Sequence, residues 1–269
     1  MLLSRHTQGR SQKYYQMLKK AGWQAVDMNE TADKNMFLQS AEDRKQYIKQ
    51  ALEYIEQAGL KVGQCHAPMP HCIVGKTEQE VNDILLSIVN CVETASKFNI
   101  PYVVVHPFIY DWATEDPEPE KTLQFNLEYL KKTVEKAKGT IVCLENMPGF
   151  RGITAYPENV KYFIDNVPGL CACLDTGHAV CNGLKTSDFF KVLGDKIKCL
   201  HVHDSIAGTD LHALPYSNQV DWQDFKQTIK EYNYQGNINS ESNFSFKLPN
   251  ENRLEWETFE AKVYKTLME

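Results

Sequence analysis

The sequence lacks any run of 18 consecutive apolar residues, so it predicts no membrane-spanning helix. It also lacks a Pro/Gly-rich linker and a low-complexity segment. No apolar leader is predicted, because the first residues, MLLSRHTQGR, turn polar within four positions. We therefore expect a single domain over residues 1–269, with no membrane partner and a cytoplasmic location.

Other absences narrow the chemistry. No CxxC pair is present, which argues against a zinc knuckle, and without a secretory leader the eight cysteines are expected to be free thiols in a reducing compartment. No G-x-G-x-x-G follows a predicted strand, which argues against a dinucleotide fold and predicts no organic cofactor. The net charge of −6 argues against a nucleic-acid partner.

The chain does have a regular alternation of short apolar runs and amphipathic stretches. The predicted strands are Leu2–Ser4, Trp23–Met28, Lys61–His66, Tyr102–His106, Thr140–Glu145, Leu170–Asp175, Ile197–His201 and Asn237–Glu241. The predicted helices are Ser11–Ala21, Ala41–Ala58, Thr77–Phe98, Glu118–Ala137, Pro157–Asn166, Thr186–Leu193, Asp221–Tyr232 and Asn252–Leu267. Strict alternation is typical of a parallel sheet, and eight units at this length predict an α/β fold, a single (β/α)8 TIM barrel. Such barrels often form dimers, but no residue pattern here specifies one, so a homo-oligomer stays open.

Polar side chains collect where the predicted strands end, which in a (β/α)8 barrel is the active-site rim. The residues that end strands three to eight, or follow them closely, are His66, His106, Glu145, Asp175, His178, His201, Asp210, His212 and Glu241. A carboxylate buried after a run of apolar residues is costly unless it is paired or bound to a metal. One such residue is commonly a helix cap or an ion-pair partner, but six consecutive strands with this feature predict a metal-binding rim.

The motifs on this rim resemble those of the xylose isomerase-like barrels, a group that includes sugar phosphate isomerases and epimerases and the endonuclease IV type of abasic-site nuclease. The motifs are HAP (66–68), VVVHP (103–107), LEN (144–146), LDTGH (174–178), HVHDS (201–205), DLH (210–212), VDW (220–222) and Tyr234-Gln-Gly-x-Ile-x-x-Glu241. Each is weak alone, but their order and spacing cover essentially the whole chain.

In the epimerase branch, the resemblance implies that one divalent ion is held by Glu145, Asp175, His201 and Glu241. Removal of a proton next to a carbonyl gives an enediolate, whose charge a metal ion stabilises by several kcal/mol. Glu145 and Glu241 would move the proton between the two faces of the substrate, and His178 would contact a substrate hydroxyl. The implied activity is a metal-dependent isomerase or epimerase of a sugar, sugar phosphate or polyol; a lyase or dehydratase would use the same chemistry.

In the nuclease branch, the resemblance implies that all nine rim residues hold three zinc ions, and all nine have the required type here. The alternative function is therefore a multinuclear zinc phosphodiesterase. Gly177 within DTGH, and VDW after DLH, look more like the sugar enzymes. The loop after His66, APMPHCIVGK, also has no arginine or bulky aromatic residue that would insert into a duplex.

The ligand types bear on the metal. A Glu/Asp/His/Glu set is oxygen-rich and suits Mn²⁺, Mg²⁺ or Co²⁺ as well as Zn²⁺, whereas nine residues with five histidines favour zinc. We expect Mn²⁺ for one ion and Zn²⁺ for three. His6 and His71 receive no role in either set.

Further residues near the rim have two interpretations each. Phe108 and Trp112, after the fourth strand, form an apolar wall for substrate or simply pack within their loop. Arg151 binds a substrate phosphate or carboxylate, or stays solvated. His203 is a hydrogen-bond partner of the metal ligands or a polar rim residue, and Asp204 fixes a histidine tautomer or caps the next segment.

Overall fold

The computed structural model describes residues 1–7, 9, 11–70, 72–111, 114–149, 152–243 and 249–269. Its strands are β1 (Leu3–His6), β2 (Ala25–Met28), β3 (Lys61–His66), β4 (Tyr102–Val105), β5 (Ile141–Glu145), β6 (Cys171–Asp175), β7 (Ile197–Val202), β8 (Asp204–Ile206), β9 (Thr209–Ala213) and β10 (Ile238–Ser240). Its α-helices are α1 (Gln12–Ala21), α2 (Lys34–Phe37), α3 (Ala41–Gln57), α4 (Glu78–Lys97), α5 (Pro119–Glu135), α6 (Pro157–Asn166), α7 (Thr176–Cys181), α8 (Thr186–Leu193), α9 (Trp222–Glu231) and α10 (Arg253–Lys265).

Eight of these strands form a closed barrel in the order β1-β10-β7-β6-β5-β4-β3-β2. Every neighbouring pair in the barrel is parallel, and a helix follows each strand or the hairpin attached to it. The predicted (β/α)8 TIM barrel is therefore confirmed. Among the described residues, no helix combines the length and the apolar character that crossing a bilayer requires.

The segment after β7 was expected to be a loop and is instead an antiparallel hairpin of β8 and β9. Its strands have three and five residues, too few to show a clear period-two pattern in the sequence. Gly208 allows the turn, because its φ of 75° lies in the left-handed region that glycine adopts at little cost. The hairpin carries Asp210 and His212 to the rim.

The first strand was predicted as Leu2–Ser4, but β1 continues to His6 and so reaches the rim. The helix α7 was also not predicted, because it has only six residues and starts directly after β6. The Asp175 carboxylate caps this helix by accepting a hydrogen bond from the His178 backbone N–H, at 2.7 Å. This cap fixes the turn that joins two of the predicted site residues.

The strands separate two cores because their side chains alternate in direction. Val103 and Val105 of β4 pack outward into the large apolar layer shared with the helices, whereas Val104 points to a small cluster inside the barrel. That inner cluster contains Cys143, Cys171, Cys173 and Cys199 from β5, β6 and β7. All eight cysteines are free thiols, as predicted. Burial raises the pKa of the Cys143 thiol well above its ordinary value, so it behaves as a small apolar side chain.

Candidate metal centre

All nine predicted rim residues lie in the described part of the chain and meet at the carboxyl ends of the strands. They are His66 (end of β3), His106 (after β4), Glu145 (end of β5), Asp175 (end of β6), His178 (α7), His201 (β7), Asp210 and His212 (β9) and Glu241 (after β10). The described residues include several groups of His, Asp, Glu and Cys side chains close enough to hold a metal ion.

Glu145 lies at the middle of the cluster and is buried. Its Oε2 atom is 3.1 Å from His106 Nε2 and 3.1 Å from His201 Nδ1. Its Oε1 atom is 3.2 Å from His178 Nδ1. Glu145 therefore contacts histidines from three directions, and the nine residues divide into three adjoining groups around it.

The first group, called the His201 position, consists of Glu145, Asp175, His201 and Glu241. His201 Nδ1 is 3.1 Å from Glu145 Oε2 and also 3.1 Å from Glu241 Oε1. Asp175 is the neighbour of His201 in the β6–β7 register. Although both ring nitrogens of His201 are buried, neither makes a hydrogen bond of acceptable geometry within the described residues.

Two residues that sequence reasoning missed, Asp27 and His6, also contact the side chains of this position. Asp27 Oδ2 is 3.4 Å from His201 Nε2, and the carboxylate is fully buried. His6 Nδ1 is 3.2 Å from Glu241 Oε1 and 3.4 Å from Asp27 Oδ2. The burial of Asp27 could have been predicted from the sequence. Asp27 lies two residues after the apolar Ala25 on a predicted strand, so both side chains are on the same face. The position of His6 at the rim could not be predicted, because the predicted first strand ended at Ser4 and His6 lies beyond it.

The second group, called the His106 position, consists of His66, His106 and Glu145. His66 Nδ1–H donates to the Ala67 carbonyl at 2.7 Å, which leaves His66 Nε2 without a proton in the neutral ring. His106 Nε2 is 3.0 Å from that atom and 3.1 Å from Glu145 Oε2, so one N–H of His106 serves both acceptors. This position is satisfied without a cation.

The third group, called the His212 position, consists of His178, Asp210 and His212. Asp210 Oδ2 is 3.0 Å from His212 Nε2 and 3.4 Å from His178 Nε2. His212 Nδ1–H donates to the Glu241 carbonyl at 3.0 Å, so a cation is required between its Nε2 atom and Asp210. Although burial alone would lower it, the pKa of His212 is raised to about 9 by Asp210 and Glu241, so a proton can supply that charge.

The His201 position fits a divalent cation best of the three. One imidazole there faces the buried carboxylates of Glu145, Glu241 and Asp27, and its nitrogens have no well-formed hydrogen bond within the described residues. Buried carboxylates at this density are costly unless positive charge compensates them. A single proton on His201 neutralises at most one of them, whereas Glu, Asp, His and Glu are a donor set that divalent metals accept.

The electrostatic shifts agree with this arrangement. Burial alone would raise the pKa of Glu145, but His201 and His106 lower it well below its ordinary value. Burial alone would lower the pKa of His201, but the carboxylates of Glu241 and Glu145 raise it well above its ordinary value. These shifts favour an ionised Glu145 beside a positively charged group.

The HVHDS motif contains two residues, His203 and Asp204, for which the sequence left two roles open. His203 is fully buried, and its Nε2 atom is 3.0 Å from Asp175 Oδ2, so it contacts a predicted metal ligand rather than solvent. Asp204 accepts hydrogen bonds from the backbone N–H groups of Ser205, Asn218 and Val220 and from the Trp222 indole. Asp204 therefore holds the chain after the hairpin and does not fix a histidine tautomer.

Of the three predicted substrate-binding residues, Phe108 is the one that lies within the described part of the chain. Of the two interpretations of Phe108, its surroundings agree with packing: the ring is fully buried and packs edge-on against Phe125 and Tyr129, both 5.0 Å away between centroids. Its backbone is also bonded to the Asn126 side chain. Trp112, Arg151 and His71 lie outside the described residues.

The sequence and the fold of the chain are similar to those of known proteins. Residues 15–257 match the family described as "Xylose isomerase-like TIM barrel". The chain is 31% identical over 164 residues to the probable endonuclease 4 of Metamycoplasma arthritidis, a match that covers 57% of this chain and 58% of that protein. A D-tagatose 3-epimerase-like protein superposes with a TM-score of 0.76 at 20% identity, covering 100% of this chain and 97% of the other. The 3-keto-D-glucoside 4-epimerase from E. coli superposes with a TM-score of 0.75 at 16% identity, covering 99% of both chains, and at such identities the likeness shows the fold alone. The family match spans most of the sequence, and the chain belongs to the xylose isomerase-like TIM barrel family.

Proposed function

We propose that this protein is a divalent-metal-dependent isomerase or epimerase of a sugar, sugar phosphate or polyol. The observation that carries the proposal is the convergence of Glu145 and Glu241 on His201 Nδ1, each at 3.1 Å. The two carboxylates come from the ends of β5 and β10, which are separated in the barrel by β6 and β7. They therefore approach the centre from different walls, as transfer of a proton between two faces of one substrate carbon requires.

The His201 position would hold the ion through Glu145, Asp175, His201 and Glu241. Mn²⁺, Mg²⁺, Co²⁺ and Zn²⁺ all suit this donor set. A bound divalent ion polarises a substrate carbonyl and stabilises the negative charge that follows proton removal. Asp27 Oδ2 lies 3.4 Å from His201 Nε2, and a carboxylate behind a metal-binding imidazole would orient its ring once the ion is held.

Proton transfer and substrate binding are assigned to side chains of the protein. Glu241 is 8% exposed and Glu145 only 1%, so Glu241 is the carboxylate more open to a substrate. The backbone of Glu241 is held by its N–H bond to the Val202 carbonyl and by the His212 ring, which donates to the Glu241 carbonyl. Glu241 and Glu145 would accept and return the substrate proton, and His178 with Asp210 would bind substrate hydroxyls. A group positioned for acid–base transfer typically contributes ~10²–10⁴-fold to the rate.

The likeness to sugar epimerases supports a small substrate. The neighbouring solved structures are named as a D-tagatose 3-epimerase-like protein and a 3-keto-D-glucoside 4-epimerase. The charge of the chain agrees: it is −6 overall, and the loop between β4 and α5 carries Glu115, Asp116 and Glu118. Acidic surface of this kind repels a phosphodiester backbone and leaves a neutral sugar unaffected.

One observation favours a second function, a multinuclear zinc phosphodiesterase. The His106 and His212 positions adjoin the His201 position, and all nine side chains needed for three ions are present and close together. The relative at 31% identity is named a probable endonuclease 4. With three ions bound, the donors of all three positions would be occupied, and Glu145, which belongs to two of these positions, would serve as a ligand and not transfer a proton.

Two measurements test the proposal. The first is the metal content per chain, by elemental analysis of protein purified without added metal or chelator; one ion is expected. The second is deuterium incorporation into a panel of ketopentoses, ketohexoses and their phosphates in D₂O, followed by mass spectrometry. Glu241→Gln should abolish incorporation while the fold survives, and the exposed Glu56→Gln should not change it. Two or three zinc ions, with cleavage of an abasic DNA duplex and no exchange, would overturn the isomerase proposal in favour of the phosphodiesterase.

A further inference from the structure

His203 is a fully buried histidine that belongs to none of the three positions defined above, yet it contacts two of them. Its Nε2 atom is 3.0 Å from Asp175 Oδ2 and 3.7 Å from Asp210 Oδ1. Its ring stacks on the His212 ring, with centroids 4.1 Å apart and planes 15° from parallel. The side chain therefore lies between the His201 position and the His212 position.

The backbone of His203 is fixed from both sides. Thr176 Oγ1 donates to the His203 carbonyl at 2.8 Å and accepts from the His203 N–H at 3.1 Å. Thr176 is the first residue of α7 and directly follows Asp175. The two segments that carry His203 and Asp175 are thus tied together by a reciprocal pair of bonds, which leaves the imidazole little freedom to leave Asp175.

Gly177 provides the space for the His203 ring. A Cβ atom built at residue 177 would lie 1.9 Å from His203 Cε1, and its three nearest atoms all belong to the His203 ring. No real Cβ contact is this short, so any side chain at position 177 has to displace the imidazole. The backbone of Gly177 is not in the left-handed region. The glycine in the DTGH motif is therefore needed for room, not for backbone conformation.

The direction of the hydrogen bond follows from the chemistry of the two groups. An ionised carboxylate has no proton to give, so His203 Nε2–H donates and Asp175 Oδ2 accepts. The other nitrogen, Nδ1, has only a 3.4 Å contact to the Asp204 carbonyl, which is long for a hydrogen bond. Asp175 Oδ1 meanwhile accepts from the His178 N–H at 2.7 Å. Both oxygens of Asp175 are thus oriented before any ion binds.

We propose that His203 is a positioning residue that holds the Asp175 carboxylate for metal binding at the His201 position, in the space that Gly177 leaves open. The inference rests on the metal binding of the proposed function and not on the reaction that follows. His203 is close enough to His178, Asp210 and His212 to hold an ion with them, but its Nε2 proton is committed to Asp175, so we assign it no ligand role. Loss of a partner behind a metal ligand typically weakens metal affinity about 10- to 100-fold.

The experiment measures the dissociation constant of Zn²⁺ and of Mn²⁺ on metal-free protein, by competition with a chromophoric chelator. His203→Ala should weaken binding about 10- to 100-fold. His203→Gln should lose less than about tenfold, because the glutamine amide donates from nearly the same place as Nε2. The melting temperature of the metal-free protein should be similar in wild type and His203→Gln, while the rise on metal addition should be smallest in His203→Ala.

Gly177 supplies a double-mutant test. Gly177→Ala should weaken metal binding about as much as His203→Ala, because the new methyl group displaces the ring. The double variant should bind no more weakly than His203→Ala alone, since no ring then remains to be displaced. Glu56→Gln, on the exposed face of α3, is the control and should bind like wild type.

The outcomes separate the two proposals. If wild type binds no metal, the proposed function fails. If wild type binds metal and His203→Ala binds it equally well, only the positioning role of His203 is overturned. A His203→Gln variant as weak as His203→Ala would also overturn it, because a donor at this place would then be insufficient and direct ligation would be indicated.

Discussion

The guanidinium of Arg5 lies 3.1 Å from the carboxylate of Glu257, and neither side chain is exposed to solvent. A second carboxylate, Glu260, is 3.2 Å away on the same helix, α10. Arg5 Nη1 also donates to the Ser242 carbonyl at 3.0 Å and to Ser240 Oγ at 3.1 Å. These two serines flank Glu241, so the ion pair between the barrel and α10 also fixes the segment that presents a predicted site carboxylate.

Arg5→Met should therefore destabilise the protein by about 3–5 kcal/mol, the usual cost of leaving a buried charge without its partner. Urea unfolding followed by far-UV circular dichroism measures this. The control is Lys161→Ala, which breaks an exposed pair with Asp165 of 2.7 Å and should cost less than about 1 kcal/mol. Equal losses in the two variants would contradict the role given to the buried pair.

Glu260 should make stability depend on pH. Burial, together with the Glu257 charge and in spite of Arg5, raises the pKa of Glu260 from 4.5 to about 7. The folded state thus holds a proton that the unfolded state releases, so the stability contributed by Glu260 is fully present below about pH 4.5 and is lost as pH rises through about 7. Glu260→Gln should remove this decline. Urea unfolding at pH 5, 6, 7 and 8 checks it, and parallel profiles for wild type and variant would refute it.

Phe108 should contribute to stability and not to the site. Its ring is fully buried between Phe125 and Tyr129, so Phe108→Ala should cost about 3–5 kcal/mol of unfolding free energy. Metal affinity of the folded variant should stay within about threefold of wild type, because the ring is linked to the rim only indirectly in its described contacts, through Tyr129, whose hydroxyl donates to the His106 carbonyl at 3.0 Å. Chemical unfolding and chelator competition on the same preparation measure both quantities.

The number of bound ions should depend on the His201 position alone. Asp175→Asn should lose the ion, because it removes a charged ligand from that position. His106→Ala should keep one ion per chain, since the His106 position is satisfied by a hydrogen bond between two imidazoles. Elemental analysis measures the number of ions per chain in both variants. Loss of an ion from His106→Ala would favour the three-ion phosphodiesterase.

Much of the fold and most of the rim followed from local pattern. The buried parallel strands β3 to β7 are short apolar runs, so a His or an acid at the end of one, such as His66, Glu145 or Asp175, is visible in the sequence. The hairpin that carries Asp210 and His212 is too short to show a period, yet its spacing after His201 still placed both residues correctly at the rim.

The first strand shows why the rest was missed. Its sequence, LSRH, turns polar after Leu3, so the apolar pattern predicted a strand only as far as Ser4. It is buried only because Arg5 meets Glu257, which lies 252 residues further along the chain. No local window contains that partner, so His6 at the end of the strand stayed without a role. The two interpretations of Phe108 stayed open for a similar reason, because the helix that covers it begins only at Pro119.

The hairpin of β8 and β9 lies outside the barrel sheet, although it carries two of the nine rim residues. Of the proposed ligands, Glu145 and Asp175 end barrel strands, whereas Glu241 also accepts a hydrogen bond from His212 of the hairpin. Substitution or lengthening of the hairpin would thus change the side of the candidate site that includes Glu241 and leave Glu145 and Asp175 in place. For the proposed enzyme, this separation would let one side of the site vary between relatives while the two strand-end carboxylates are kept.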